Sequence, residues 1–182
     1  MKSQTKRFIV YLNLLGVRIN SGEFESRVKA QKLAYIIQTI TNKQLYEFNF
    51  YIKGPYSREL AKEYFECKQD FETGNSGDYK LLREETEEIE RVKPLVNSLS
   101  QNDLEIVASL LYMRGRGFDE NQAEVKLKEL KPHLKIEDIW KGTNTIKKLL
   151  LTDKLKAIIM GSLEKETEEW DTISNESLRK AE

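Results

Sequence analysis

The clearest local prediction in the chain comes from YEFNFYIKGPYS, which runs from Tyr46 to Ser57. On one side of an extended backbone fall Tyr46, Phe48, Phe50 and Ile52, and on the other Glu47, Asn49, Tyr51 and Lys53. This period-two pattern predicts a half-buried strand over about residues 46–53. Gly54-Pro55 ends the strand, because proline lacks the ladder N–H and forces the residue before it out of helical geometry. Ser57 then stands where a helix N-cap is expected, with Glu59 in the first turn.

The predicted strand needs a partner, since a single strand leaves its own backbone N–H and C=O groups unpaired. Residues 79–82, Tyr-Lys-Leu-Leu, form the next short apolar segment, and we expect them to pair with the strand in an antiparallel ladder. Between the two lie residues 68–78, where two glycines flank Asn75-Ser76. This composition predicts an exposed loop.

Apolar residues at helical spacing surround this element on both sides. We predict helices over about residues 4–15, 25–41, 84–99, 120–130, 136–151 and 153–170, one beginning after Ser57, and one that Ser100 caps and that ends at Gly115 and Gly117. Leu60, Ala61, Tyr64 and Phe65 form the buried stripe predicted for the helix after Ser57. Pro94 is expected to interrupt or kink the helix that contains it.

These elements predict a mostly α fold, a compact multi-helix domain with a small antiparallel β element that pairs residues 46–53 with 79–82. The organisation expected is one helical domain over residues 1–170, with a motif-bearing half at 1–99 and a helical half at 100–170. Residues 171–182 are expected to form a polar tail.

The helix over residues 25–41 has an unusual second face. At 100° per residue its core stripe consists of Ala30, Leu33, Ala34, Ile36, Ile37 and Ile40. The opposite side carries Val28, Gln31, Lys32, Tyr35, Gln38 and Thr39. An apolar and an aromatic residue among polar ones indicate that this face also contacts something, either another part of the chain or a partner.

Charge is balanced overall but unevenly distributed. The 182 residues hold 30 basic and 30 acidic side chains. Residues 1–68 contain twelve basic and six acidic residues, whereas residues 69–110 contain four and ten. A basic segment and an acidic segment of this kind either neutralise each other's charge within one fold or form a surface for a partner. A neutral chain has no overall field that would attract nucleic acid or an anionic membrane.

No residue pattern indicates catalysis, a metal site or a cofactor. The sequence has one cysteine, Cys67, and one histidine, His133, so a zinc site is not expected and no internal disulfide can form. Glycine-rich phosphate loops are absent. The nearest candidates for anion binding are Arg114 to Gly117, for which a helix C-terminus is the preferred interpretation, and Gly54 to Ser57, for which a structural turn is preferred. The only early apolar stretch, residues 8–15, is too short for a membrane span. The expected location is the cytoplasm.

Two segments carry a family resemblance. The first contains Gln31-Lys32-Leu33 followed by Tyr35 on a helix, and the second is the aromatic strand that leads into Gly54-Pro55-Tyr56-Ser57 and a helix with Leu60. Together they resemble the SocA-like antitoxin domain, also called the Panacea domain, and within it a YwgA-like branch of uncharacterised proteins. The resemblance covers about residues 25–65, and Lys131-Pro132 is compatible with it.

The resemblance implies a mostly helical domain with a small antiparallel β element, and it implies protein binding. Members of the family occur as antitoxins that neutralise varied toxins, and one type is an adaptor that delivers a toxin to a protease. No catalytic residues come with the family. The function expected is therefore a non-enzymatic protein-binding module, antitoxin-like or adaptor-like, whose partner is toxin-like or protease-associated. The alternative is a nucleic-acid-binding regulator that uses the basic first third.

The candidate contact surface combines the rigid turn with the second face of the helix over residues 25–41. Its residues are Gln31, Lys32, Tyr35, Tyr51, Tyr56 and Arg58. Tyrosine and arginine are enriched at protein interfaces. The alternative for Tyr56 is that its ring packs into the core and stabilises the turn.

Overall fold

The computed structural model describes residues 1–151, and the helix and the polar tail predicted beyond residue 152 lie outside the described residues. Within the described part, eight helices and one hairpin follow in the order α1 Ser3–Leu15, α2 Phe24–Thr41, β1 Asn49–Tyr51, β2 Gly54–Tyr56, α3 Arg58–Glu66, α4 Lys68–Thr73, α5 Arg83–Asn97, α6 Gln101–Gly115, α7 Glu120–Leu130 and α8 Ile136–Leu150. The mostly α fold with a small antiparallel β element is confirmed.

The predicted strand pairing is wrong. β1 pairs with β2, directly after it in the chain, with Tyr51 opposite Gly54 and Asn49 opposite Tyr56. Residues 79–82 are not a strand, and Leu82 instead precedes α5. Closing the two-residue connection Ile52-Lys53 loses far less chain entropy than closing a loop of more than twenty residues. Proline is tolerated in β2 because both strands of a two-stranded ribbon are edge strands.

Two further predictions between residues 68 and 99 need correction. The segment expected as an exposed loop begins with the short helix α4, whose Phe71 side chain is buried. The ring of Phe71 lies edge-on to Phe8 and Tyr64, so one aromatic side chain fixes a turn of helix that its polar neighbours do not reveal. The predicted interruption at Pro94 is wrong, because α5 continues through it from Arg83 to Asn97, whereas the alternative of a kink stays a prediction.

The predicted caps agree with the structure. The Ser57 hydroxyl accepts a hydrogen bond from the Leu60 N–H at 3.3 Å, and the Ser100 hydroxyl accepts one from the Asp103 N–H at 3.2 Å. Each oxygen satisfies a backbone donor that the first turn of a helix leaves free. These two residues therefore set where α3 and α6 begin.

α6 lies at the centre of the described fold. It packs against α2, α7 and β2, while α1 packs against α5. Ile106, Val107 and Ala108 are fully buried, as a helix surrounded by other elements requires. Among residues 1–151, none of the helices combines the length and the apolar character needed to cross a membrane.

Candidate partner-binding groove

The hairpin packs closely against α6 at Gly54. Gly54 has φ +86°, which disfavours any residue with a side chain. A Cβ placed there would lie 2.5 Å from the Ser109 Oγ of α6. Gly54 therefore allows the hairpin both its turn and its close approach to α6.

Gln31 on α2 binds the main chain just after the hairpin. Its side-chain Nε2 donates to the Ser57 carbonyl at 2.9 Å, and its Oε1 accepts from the Ser57 N–H at 2.8 Å. The amide thus forms two hydrogen bonds to one residue, and both are buried. Because these atoms belong to the backbone, the contact positions the chain irrespective of the side chain at position 57.

Two buried lysines hold the hairpin carbonyls. Lys32 Nζ donates to the Pro55 carbonyl at 2.7 Å, and Lys131 Nζ donates to the Ile52 carbonyl at 2.7 Å. Lys131 also bonds to the carboxylate of Glu105 on α6, and Lys53 lies 3.7 Å from the same carboxylate. The turn is therefore fixed at its tip and at its return strand.

Burial of Lys32 has an electrostatic consequence. Only 1% of the residue is exposed, and burial lowers the pKa of its ammonium to about 8, because the charged form loses its hydration. The negative charge of Glu105 opposes this shift, whereas the positive charges of Lys131 and Lys53 add to it.

A groove lies between α2, the hairpin and α3, with a volume of about 420 Å³. It is lined by Phe24, Arg27, Val28, Gln31 and Lys32 from α2, by Tyr51, Ile52, Lys53, Gly54 and Tyr56 from the hairpin, and by Ala61, Tyr64 and Phe65 from α3. We refer to this set as the hairpin groove. Large apolar side chains stand exposed along it: Ile52 at 76%, Phe65 at 64%, Tyr51 at 63% and Phe24 at 56%. Side chains of this kind, grouped at one concave place, are typical of a binding surface.

Arg27 lies between two of these aromatic rings. Its guanidinium carbon lies 5.8 Å from the ring centre of Phe24 and 6.0 Å from that of Phe65. Nη1 donates to the Ser21 carbonyl at 2.7 Å. The stacking keeps one cation and two exposed rings in a fixed arrangement at the edge of the groove.

The structure separates the six residues of the predicted contact surface. Tyr51 and Tyr56 line the groove with their ring centres 5.8 Å apart, and Tyr56 is 37% exposed rather than packed in the core. Gln31 and Lys32 lie at its floor, both buried. Tyr35 lies elsewhere, against Phe48 and Tyr112, where burial raises its pKa to about 12. Arg58 is exposed and does not line the groove.

Nine residues of the groove lining are missing from the predicted surface, among them Phe24, Arg27, Ile52 and Phe65. The predicted strand places Ile52 on its inner side and the predicted buried stripe of α3 includes Phe65, yet both side chains are exposed. Phe24 begins α2 as an aromatic residue within a polar loop, which was the one available signal.

Other polar clusters have structural explanations. The buried carboxylate of Glu63 accepts hydrogen bonds from Thr5 and Tyr46 at 2.7 and 2.8 Å, and Lys2 lies 3.3 Å from it. Burial, followed by the charge of Glu63, raises the pKa of Tyr46. Cys67 is half-buried and His133 exposed. No group of three metal-ligating side chains occurs within residues 1–151.

Comparisons with known proteins returned no match to any family model, curated protein or solved structure.

Proposed function

We propose that the chain is a non-enzymatic, cytoplasmic protein-binding module of the antitoxin-like or adaptor-like kind, and that the hairpin groove is its contact surface. The observation that carries the proposal is the grouping of exposed Phe24, Tyr51, Ile52 and Phe65 around one groove. The resemblance of residues 25–65 to the Panacea domain supports the same kind of function.

The residues of the groove suit protein recognition. Aromatic residues and arginine are enriched at interfaces and supply most of the binding free energy where they are found. The hydrogen bonds from Gln31, Lys32 and Lys131 to backbone atoms hold the hairpin in one conformation. A partner therefore has less conformational entropy to remove when it binds.

The test compares proteins captured from a native lysate by the wild-type chain and by an Ile52→Ser/Phe65→Ser variant. Both positions are exposed, so we expect the variant to fold, which circular dichroism checks. We expect recovery of at least one protein to fall about tenfold or more, because two apolar contacts are lost. The matched control is Val125→Ser/Leu130→Ser, which makes the same kind of change at exposed positions of α7.

Equal recovery by the folded groove variant contradicts the proposal. So does a partner that is lost only with the α7 variant, because it would bind another surface. Recovery that falls with the groove variant and is unchanged with the control supports it.

A further inference from the structure

The charge of the hairpin groove has one sign. Arg27, Lys32 and Lys53 line it, and none of the acidic residues within 1–151 does. The whole chain holds 30 basic and 30 acidic residues, so a lining with three cations and no carboxylate departs from the average composition. Such a lining attracts a negatively charged group.

The carboxylate that lies beside Lys53 is already shared. Glu105 bonds to Lys131 and lies 3.7 Å from Lys53, whereas Lys32 donates to the neutral Pro55 carbonyl. Three ammonium groups below and beside the hairpin thus have one carboxylate among them. This shortage of negative charge also agrees with the lowered pKa of Lys32, to which Lys131 and Lys53 contribute.

Arg27 adds a fourth cation. Its guanidinium contacts two rings and one carbonyl oxygen, and within residues 1–151 it forms no ion pair. The planar group keeps free N–H donors, which suit a carboxylate. Cations therefore line a groove whose remaining surface is mostly aromatic and aliphatic.

We propose, on the basis of the protein-binding function above, that the groove binds a peptide segment of another protein in which apolar side chains adjoin at least one acidic side chain. The apolar residues contact Phe24, Ile52 and Phe65, and the carboxylate pairs with Arg27 or Lys53. A peptide fits better than a nucleic acid, because phosphates need a continued track of cations along the surface. The lining of the groove instead consists mostly of aromatic and aliphatic side chains, with Val28 and Ile52 among them.

The experiment selects random peptides displayed on phage against the full chain, with Ile52→Ser/Phe65→Ser used for counter-selection. A selected peptide is then synthesised in its acidic form and in an amide form, with Asp changed to Asn and Glu to Gln. Fluorescence anisotropy measures the affinity of both forms. We expect the amide form to bind the wild type about tenfold more weakly, because a partly desolvated ion pair is lost.

The same two peptides are measured on Arg27→Gln/Lys53→Gln, and the matched control is Lys29→Gln/Lys62→Gln, which removes two charges outside the groove lining. We expect the acidic and amide forms to bind the first variant equally. On the control the tenfold difference should persist. This result would show that the peptide carboxylate interacts with the cations of the groove and not with the overall charge of the chain.

Several outcomes overturn the inference. Selected peptides that are neutral or basic, or amide forms with unchanged affinity, overturn the acidic partner but leave the groove as a protein-binding surface. A selection without groove-dependent peptides overturns the peptide proposal, while the lysate comparison still decides the proposed function. Groove-dependent binding of a labelled single-stranded oligonucleotide at about 50 mM salt, or a groove-dependent dimer in sedimentation, assigns the groove to nucleic acid or to a second copy.

Discussion

At Lys32, hydrogen bonding and burial have opposite effects on the free energy of folding. The ammonium donates to the Pro55 carbonyl, which helps to fix the hairpin, yet the side chain is almost completely removed from water. A buried cation costs free energy unless its charge is compensated, and Glu105 supplies only part of the compensation. The hydrogen bond to the Pro55 carbonyl is therefore made at a cost in desolvation free energy.

This balance predicts a pH-dependent stability. The pKa of Lys32 is about 8 in the folded state and 10.5 for a lysine in water, so above about pH 8 the unfolded state binds more protons. Raising the pH then favours the folded state. Relative to Lys32→Met, we expect the wild type to gain about 2 kcal/mol between about pH 8 and pH 9.5. Urea unfolding of both proteins at each pH measures the difference, and a constant difference would contradict the prediction.

Residue patterns identified one face of α2 correctly and left the other open. The core stripe is buried at Leu33, Ile36 and Ile37 as predicted. On the opposite face, the expected contact proves to be with the same chain, since Gln31 and Lys32 bond to residues 57 and 55. Helical periodicity gives the direction of a side chain but not the segment that covers it. The burial of Gln31 and Lys32 against a backbone segment more than twenty residues away therefore cannot be read from the spacing of apolar residues.

In the hairpin, the conformation of one glycine decides the packing. Gly54→Ala would place a methyl group 2.5 Å from Ser109 Oγ at a φ of +86°. The strained backbone costs about 1–2 kcal/mol, and the clash adds to it, so we expect a loss of about 2–4 kcal/mol in the free energy of unfolding. Urea denaturation measures it.

The control for that substitution is Gly16→Ala. Gly16 also has a positive φ, +72°, but a Cβ there would contact nothing within 4 Å. We expect it to lose only about 1 kcal/mol. Equal losses at the two positions would show that backbone strain alone acts and that the contact with Ser109 is unimportant.

Most helices could be predicted, because their signals are local. α1, α2 and α7 begin within a residue of the predicted positions, and Ser57 and Ser100 cap as expected. The hairpin could not be predicted in the same way. Its connection Ile52-Lys53 contains neither the glycine nor the asparagine that is typical of a two-residue turn. The positive φ falls instead on Gly54, and because Pro55 follows it, the sequence indicates the end of a strand there rather than the start of one.

Across the whole molecule, the basic first third and the acidic middle lie against each other. α1 packs on α5, where Arg7 lies 3.7 Å from Glu85, and Lys53 of the hairpin lies 3.7 Å from Glu105. The uneven charge along the sequence is thus partly compensated in the fold. Arg27 of the hairpin groove is not compensated in this way within residues 1–151, which no count along the chain could show.

Because the hairpin and α8 pack on the same core helix, we expect a destabilising change in the hairpin to destabilise α8 as well. The hairpin packs on α6, and Gly142 of α8 packs against Ile106 of the same helix. In a Trp170→Phe background, Trp140 of α8 is the only tryptophan and reports this end of the core. We expect Gly54→Ala to shift the urea midpoint equally by Trp140 fluorescence and by circular dichroism. An unchanged Trp140 midpoint would mean that the hairpin unfolds separately.

The two hydrogen bonds from Gln31 to the main chain of Ser57 also determine how the sequence can vary. Because both bonds to residue 57 use its backbone atoms, Thr, Asp or Asn at this position would keep them and could still cap α3. Position 31 has no such freedom, since a glutamate there could not donate to the Ser57 carbonyl. Under the proposed function, the limits at Tyr51, Ile52 and Phe65, whose side chains are exposed, come from the partner instead. Selection for folding and selection for the proposed binding would then act on neighbouring but different positions, so the specificity of the groove could diverge while its scaffold stays constant.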